Sequence, residues 1–168
     1  MLKFRYTIIF VFILSILLFV IGFISSLDIV EEANVNNQEL TFLQLFYHNL
    51  FAGLGAILFG VVTIGIYAVL YLFLNFFSMG LIIDNLSSDH TIVEILNTFI
   101  IHGLFEIPAM IISASLGIFI PLRMIEIIRK KNGSKKDFKK ILIIITIIIL
   151  LTLIAAFIES TITPNFIK

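Results

Sequence analysis

The sequence contains no cysteine and very little charge: 13% of its 168 residues are Asp, Glu, Lys or Arg, and these cancel to a formal net charge of zero. Without cysteine there is neither a disulfide framework nor a thiolate metal site. So few charges leave no polar surface for a soluble enzyme of this size, no basic face for nucleic acid and no solvating composition for a disordered chain. No internal repeat, linker or low-complexity tract marks a second domain. The sequence is instead 60% hydrophobic, against about 45–50% in an ordinary soluble domain. The composition is that of an integral membrane protein.

The zero net charge is a sum of segregated blocks. Lys3 and Arg5 make the N-terminus basic. Residues 28–41 carry Asp28, Glu31, Glu32 and Glu39 with no cation, and residues 84–96 carry Asp84, Asp89 and Glu94. Residues 123–140 carry Arg123, Arg129 and six lysines (130, 131, 135, 136, 139 and 140) against Glu126 and Asp137, a net +6. Lys168 adds one more cation, and two carboxylates, Glu106 and Glu159, fall inside apolar stretches.

A helix rising ~1.5 Å per residue needs about 20 apolar residues to cross a ~30 Å hydrocarbon core. Residues 6–27, 95–122 and 141–162 are three such runs, and residues 42–83 form a fourth block of 42 residues without a formal charge. Lys and Arg in short flanking loops stay in the cytoplasm, which places both Lys3/Arg5 and the 123–140 cluster on the inner side. An even number of crossings must separate them, so residues 42–83 cross twice, as 42–60 and 65–83. Gly60 and Gly65 bracket the midpoint and predict a tight turn at 61–64. The expectation is an all-α polytopic bundle of five spans, a single integral membrane domain over residues 1–168. It is multi-pass in the cytoplasmic membrane, with the N-terminus inside, the C-terminus outside and a cytoplasmic basic loop at 123–140. The first span has the basic flank of a secretory signal and small residues at Ser25 and Ser26. Its apolar run exceeds the roughly 7–15 residues of a signal core, so it reads as an uncleaved anchor.

A charged side chain at the bilayer centre costs about 2.5–3.5 kcal/mol on insertion scales and therefore faces the bundle or a water-filled space. Five interior polar residues stand out: Asn49, Asn75, His102, Glu106 and Glu159. Counted inward from the outer boundary, they lie roughly 5–16 Å deep, on four different spans. His102 and Glu106 are i,i+4 neighbours and share a helix face, which continues through Ala109, Ser113 and Gly117. Asn49 continues through Ala52, Ala56 and Gly60; Asn75 lines up with Ala68, Tyr71 and Ser78; Glu159 lines up with Thr152, Ala155 and Ala156. Small residues at such spacing let membrane helices approach closely. Ala52, Ala56, Gly60, Ala109, Ser113 and Gly117 are thus the expected packing positions, and the polar residues are expected to converge inside the bundle. Gly103 and Pro108 flank Glu106, and Pro108 removes a backbone donor, which predicts a kink in the fourth span. His48, next to Asn49, is expected to face elsewhere, and His90 to lie in a loop. Thr91 with Glu94 suits a capping box, and Asn132-Gly133 suits a helix stop.

The segment His102-Gly103-Leu104-Phe105-Glu106-Ile107-Pro108-Ala109, followed by Gly117, resembles the signature of the stage II sporulation protein M (SpoIIM) family. So do Asn49, Gly60 and Asn75 upstream, and Glu159 with Thr163-Pro164 downstream. The resemblance covers residues 42–164. One departure is Phe76, where the family usually has Gly after the Asn, which argues against close helix packing at that point. What the resemblance implies is a bundle of about five spans with no established chemistry. The best-known member acts in engulfment during sporulation, in a membrane complex with peptidoglycan-degrading partners; similar small proteins are encoded beside bacteriocin genes.

The principal expectation is an integral membrane scaffold or accessory protein of a cell-envelope complex, not an enzyme. Its expected partners are the lipid bilayer and envelope proteins, with self-association open. No nucleic acid and no cofactor are expected. Two alternatives stand beside it. One is a bacteriocin-associated protein of maturation, export or immunity. The other is a transporter or metal-dependent membrane enzyme using His102, Glu106 and Glu159, although no His-Glu-x-x-His motif supports a metal.

Overall fold

The computed structural model of the chain describes residues 3–25, 41–87, 92–130 and 135–161; over 92–102, 130 and 135–137 it describes the backbone alone. Most of the acidic 28–41 segment, the Thr91/Glu94 box, His90, Asn132-Gly133, Thr163-Pro164 and the side chain of His102 therefore lie outside the described residues. The described chain is helical and contains no strand: α1 (Phe4–Ile24), α2 (Phe42–Val62), α3 (Ile66–Leu72), a π-helical turn (Phe73–Phe77), α4 (Ser78–Ser87), α5 (Ile92–Lys130) and α6 (Lys135–Thr161). Five helices are long and apolar enough to cross a bilayer, with α3, the π turn and α4 forming one of them, Ile66–Ser87. Phe10, Phe51, Leu58, Val62, Ile66 and Phe157 are each more than half exposed on the outside of the bundle. An apolar exterior of this kind is unusual for a soluble monomer and is what lipid solvates.

Local chemistry sets the helix ends. At the start of α2 the Thr41 N–H donates to Gln44 Oε1 at 2.8 Å while the Gln44 N–H donates to Thr41 Oγ1 at 3.5 Å, a reciprocal capping box. The long uncharged block folds back at residues 63–65, slightly later than the 61–64 its glycines predict. Ile64 and Gly65 both adopt positive φ, 55° and 93°, and the Gly65 N–H donates to the Gly60 carbonyl at 2.7 Å. Gly60 itself stays within α2; its missing Cβ serves a helix crossing and not the turn.

The ends of the bundle sort the charges. Phe4 packs edge-on against Phe119 with ring centroids 5.3 Å apart, and a Cβ at Gly65 would lie 3.2 Å from Ile118. The start of α1, the α2–α3 turn and the second half of α5 thus share one end, where Lys3, Arg5 and Arg123 flank these rings. At the opposite end Phe42 of α2 meets Phe157 of α6 at 6.5 Å. Arg123 is buried and donates to Glu126 at 2.8 Å.

Helix α5 is the axis of the fold, packed against α1, α2, α3, α4 and α6. Its crossing with α2 runs through Gly60 and Gly117, and a Cβ on Gly117 would collide with the Ala56 carbonyl. A second close crossing joins α1 to the third span: a Cβ on Gly22 would strike the Phe77 carbonyl, and one on Gly80 the Phe19 carbonyl. Between these crossings lies a core containing Val11, Ala68, Leu72, Phe76 and Ala114. Phe76, where a Gly would favour close helix approach, instead fills this core with its ring, 5% exposed.

Helix α5 remains helical through Gly103, Pro108 and Pro121. Proline at 108 removes a single donor, the one that would have satisfied the Leu104 carbonyl, and the helix continues on either side. The break in regular α-helix falls in the third span, at the π turn centred on Asn75.

Candidate functional site

The π turn, α2, α5 and α6 wall a cavity of about 110 Å³ inside the bundle. Helix α2 contributes His48, Asn49, Ala52 and Gly53. The third span contributes Tyr71 and Asn75, and α6 contributes Thr152. The central helix contributes Glu106, Ala109, Met110 and Ser113, three of which recur on one stripe at the spacing of a helical turn.

Each wall has a local cause. Single π turns inside α-helices accommodate an extra residue and recur at functional sites; here the turn carries Asn75, whose Nδ2 donates to the Tyr71 carbonyl one turn back at 2.7 Å. That bond uses the donor end of the carboxamide. On α2, Gly53 lets α5 come close: a Cβ there would lie 3.0 Å from Ser113 Oγ. Thr152 and Ser115 follow the usual habit of helical hydroxyls and donate to their own helix, to the Ile148 carbonyl at 2.8 Å and the Ile111 carbonyl at 2.6 Å. Ser113 does not. Its hydroxyl makes no hydrogen bond within the protein although the residue is only 1% exposed, which is an uncommon condition for a buried polar atom.

Three of the five polar residues singled out from the sequence, Asn49, Asn75 and Glu106, line this single cavity. His102 lies one turn before Glu106 on α5, with its side chain outside the described residues. Glu159 does not line the cavity; Thr152 of the same α6 stripe does, and Glu159 lies seven residues further along, about 10 Å at the helical rise. Among the described residues no three His, Asp or Glu side chains converge as a metal site.

His48 borders the cavity beside Asn49 and is itself exposed, as suits a neighbour about 100° further round the helix. Tyr71, on the predicted Asn75 stripe, is 9% exposed and brings a phenol to the same space. The packing positions Ala56, Gly60, Ala109, Ser113 and Gly117 are buried, whereas Ala52 is exposed at the edge of the cavity and is not a packing position.

The sequence profile of the family described as Stage II sporulation protein M matches residues 6–164. An uncharacterized protein of Methanocaldococcus jannaschii is 33% identical over 167 residues, an alignment covering 91% of this chain and 93% of that protein. No solved structure matches the fold. The matched region takes in all four helices that wall the cavity, and the chain belongs to the SpoIIM family of membrane proteins.

Proposed function

We propose that this chain is a multi-pass scaffold or accessory subunit of a cell-envelope complex in the cytoplasmic membrane. Its N-terminus and basic 123–140 segment face the cytoplasm, and its C-terminus faces outward. The observation that carries the reading is the family profile over residues 6–164, which brings a sporulation-type membrane role at the level of the family. The packing is in keeping with it. The bundle is held by glycine crossings and one internal polar cluster, an arrangement that fixes a single helix register. The basic end, gathered around Phe4 and Phe119, suits the cytoplasmic leaflet, where anionic lipid attracts each cation by about 1 kcal/mol.

The test is cross-linking in native membranes followed by purification of the tagged chain. The scaffold reading expects a complex of fixed stoichiometry with another envelope protein, weakened by Glu106→Ala. Recovery of the chain without a partner, or equal accumulation and equal partner capture by Glu106→Ala and the parent chain, overturns it.

A transporter-like reading has one observation in its favour, the polar cavity of about 110 Å³ with an unpartnered hydroxyl in its wall. It expects solute movement when the purified chain is reconstituted alone. Metal-dependent catalysis has less support, because Glu159 does not join Glu106 in the cavity wall.

A further inference from the structure

The geometry points to a binding site for a neutral, hydroxyl-bearing membrane lipid, whose polar end enters the cavity sideways between α2 and the third span and reaches Ser113. The cavity has a mouth and a floor. His48 and Ala52 line it and are exposed, whereas Gly53, Met110 and Ser113 line it and are buried.

The mouth is lateral. Helix α2 packs against α3 beside their turn, but from the π turn onward the third span packs chiefly against α1. The two arms of the hairpin therefore part near Ala52 and Asn75, each about ten residues, or ~15 Å, from the turn. That is half of a ~30 Å hydrocarbon core. Phe51 and Leu74, next to Ala52 and Asn75 in sequence, are more than half exposed. The mouth thus opens among lipid-facing side chains and not at a watery end of the bundle.

Three features choose the guest. The first is the Ser113 hydroxyl, 1% exposed and without a hydrogen bond in the protein. Ser115 and Thr152 donate to the carbonyl one turn back, as helical hydroxyls usually do; Ser113 is left for something in the cavity. Asn75 spends its Nδ2 on the Tyr71 carbonyl, which leaves its carboxamide oxygen as an acceptor. A guest hydroxyl both donates and accepts, and so can serve either group.

The second is charge. Glu106 already has a partner within the protein, and the lining contains neither lysine nor arginine. His48 at the mouth is the one lining group that can carry positive charge, set against the one carboxylate. With both ionised or both neutral their charges sum to zero, and neither a cation nor a phosphate is called for. A charged head would also have to be carried to mid-membrane, where charge is costly. The third is size. A cavity of about 110 Å³, set beside the ~150 Å³ that accepts benzene, holds about four non-hydrogen atoms. A terminal diol fits and a sugar does not, and the attached chain leaves through the mouth along Phe51 and Leu74.

This inference goes beyond the scaffold reading and is measured without any partner. The full chain, purified in detergent, is unfolded thermally with 1-monooleoylglycerol, with methyl oleate, with 1-oleoyl lysophosphatidate and with free glycerol, at equal concentrations. A ligand that binds only the folded chain raises Tm with its concentration. The expected result is a saturable rise with monooleoylglycerol over the other three. Its half-saturating concentration rises about tenfold in Ser113→Ala, as for loss of one hydrogen bond, and the response is lost in Ala52→Phe, which fills the mouth. Both variants are expected to keep the parent Tm without lipid, because the Ser113 hydroxyl has no partner to lose and Ala52 is exposed. Either one reports on the site if the other fails to fold. Coincident curves for monooleoylglycerol and methyl oleate overturn the site and leave a cavity that holds water alone. A response unchanged in either folded variant overturns it as a micelle effect. An equal rise with glycerol, which arrives from water, or a larger one with the lysophosphatidate, also overturns it.

Discussion

Gly60 of α2 and Gly117 of α5 meet backbone to backbone: a Cβ on Gly60 would stand 2.8 Å from the Gly117 Cα. No flexible side chain is available there to yield, so the helices themselves must separate. This crossing holds α2 against α5 on the basic side of the cavity and fixes the separation of its walls. Gly60→Val is expected to cost about 1–3 kcal/mol, the range of overpacked cores, read as a lower Tm in detergent. Gly55→Ala on the same helix is the control, because its Cβ would meet only the Phe59 ring at an ordinary 3.8 Å.

The turn between α2 and α3 holds a β-branched residue in the left-handed region, Ile64 at φ 55°. That conformation costs an ordinary L-residue about 1–2 kcal/mol, and Asn or Gly tolerates it far better. Ile64→Asn is expected to raise stability by about 1 kcal/mol. Gly65→Ala, at φ 93° and with its Cβ 3.2 Å from Ile118, is expected to lower it. Thermal unfolding of the two variants side by side checks both signs.

Arg123 and Glu126 form a pair at 2.8 Å with side chains 6% and 13% exposed. Removing one partner of such a pair leaves the other charge in a largely buried place with one contact fewer, which is destabilising. Arg123→Ala is expected to lower Tm. The double variant Arg123→Met with Glu126→Leu is expected to lose much less, since an apolar pair of similar volume needs no compensation. Equal losses in the single and double variants would show that the charge itself contributes little.

Because the chain has no cysteine, single introduced thiols report its orientation directly. Thr41 and Lys139 are exposed at opposite ends of the bundle, and Ile64 is exposed in the α2–α3 turn. A membrane-impermeant maleimide is expected to label Thr41→Cys in intact cells, and Lys139→Cys and Ile64→Cys only after permeabilisation. The reverse pattern would invert the topology.

Much of this architecture is legible in the order of residues. Charge parity and a 42-residue uncharged block require the hairpin of α2 and the third span, and the spacing of Asn49, Ala56 and Gly60 or of Glu106, Ala109 and Ser113 marks the inward faces. A stripe specifies a direction around a helix and says little about height along it. That is why Glu159 shares the buried face of Thr152, Ala155 and Ala156 and yet lies away from the cavity. The Gly22–Gly80 crossing joins two spans with one glycine each: only serines, Ser15, Ser25 and Ser26, fall at helical spacing from Gly22, and large residues, Phe76, Phe77 and Ile83, at that from Gly80. The π turn has no marker either. Phe73–Phe77 is an aromatic run with neither proline nor glycine, and its geometry answers to the packing of Phe76 and of Gly22 against Phe77, contacts that exist only once α1 is in place.

That π turn sets the phase of everything after it. A residue added or removed in an α-helix rotates the following segment by about 100°. Deleting one residue from Phe73–Phe77 would restore regular helix and, in doing so, swing α4 around its axis. Gly80 would leave the Phe19 carbonyl it now lies beneath, and a side chain would come to the place where only hydrogen fits. The third span therefore holds two alignments at once, Asn75 toward the cavity and Gly80 toward α1, and the five-residue π turn is the phase shift that reconciles them.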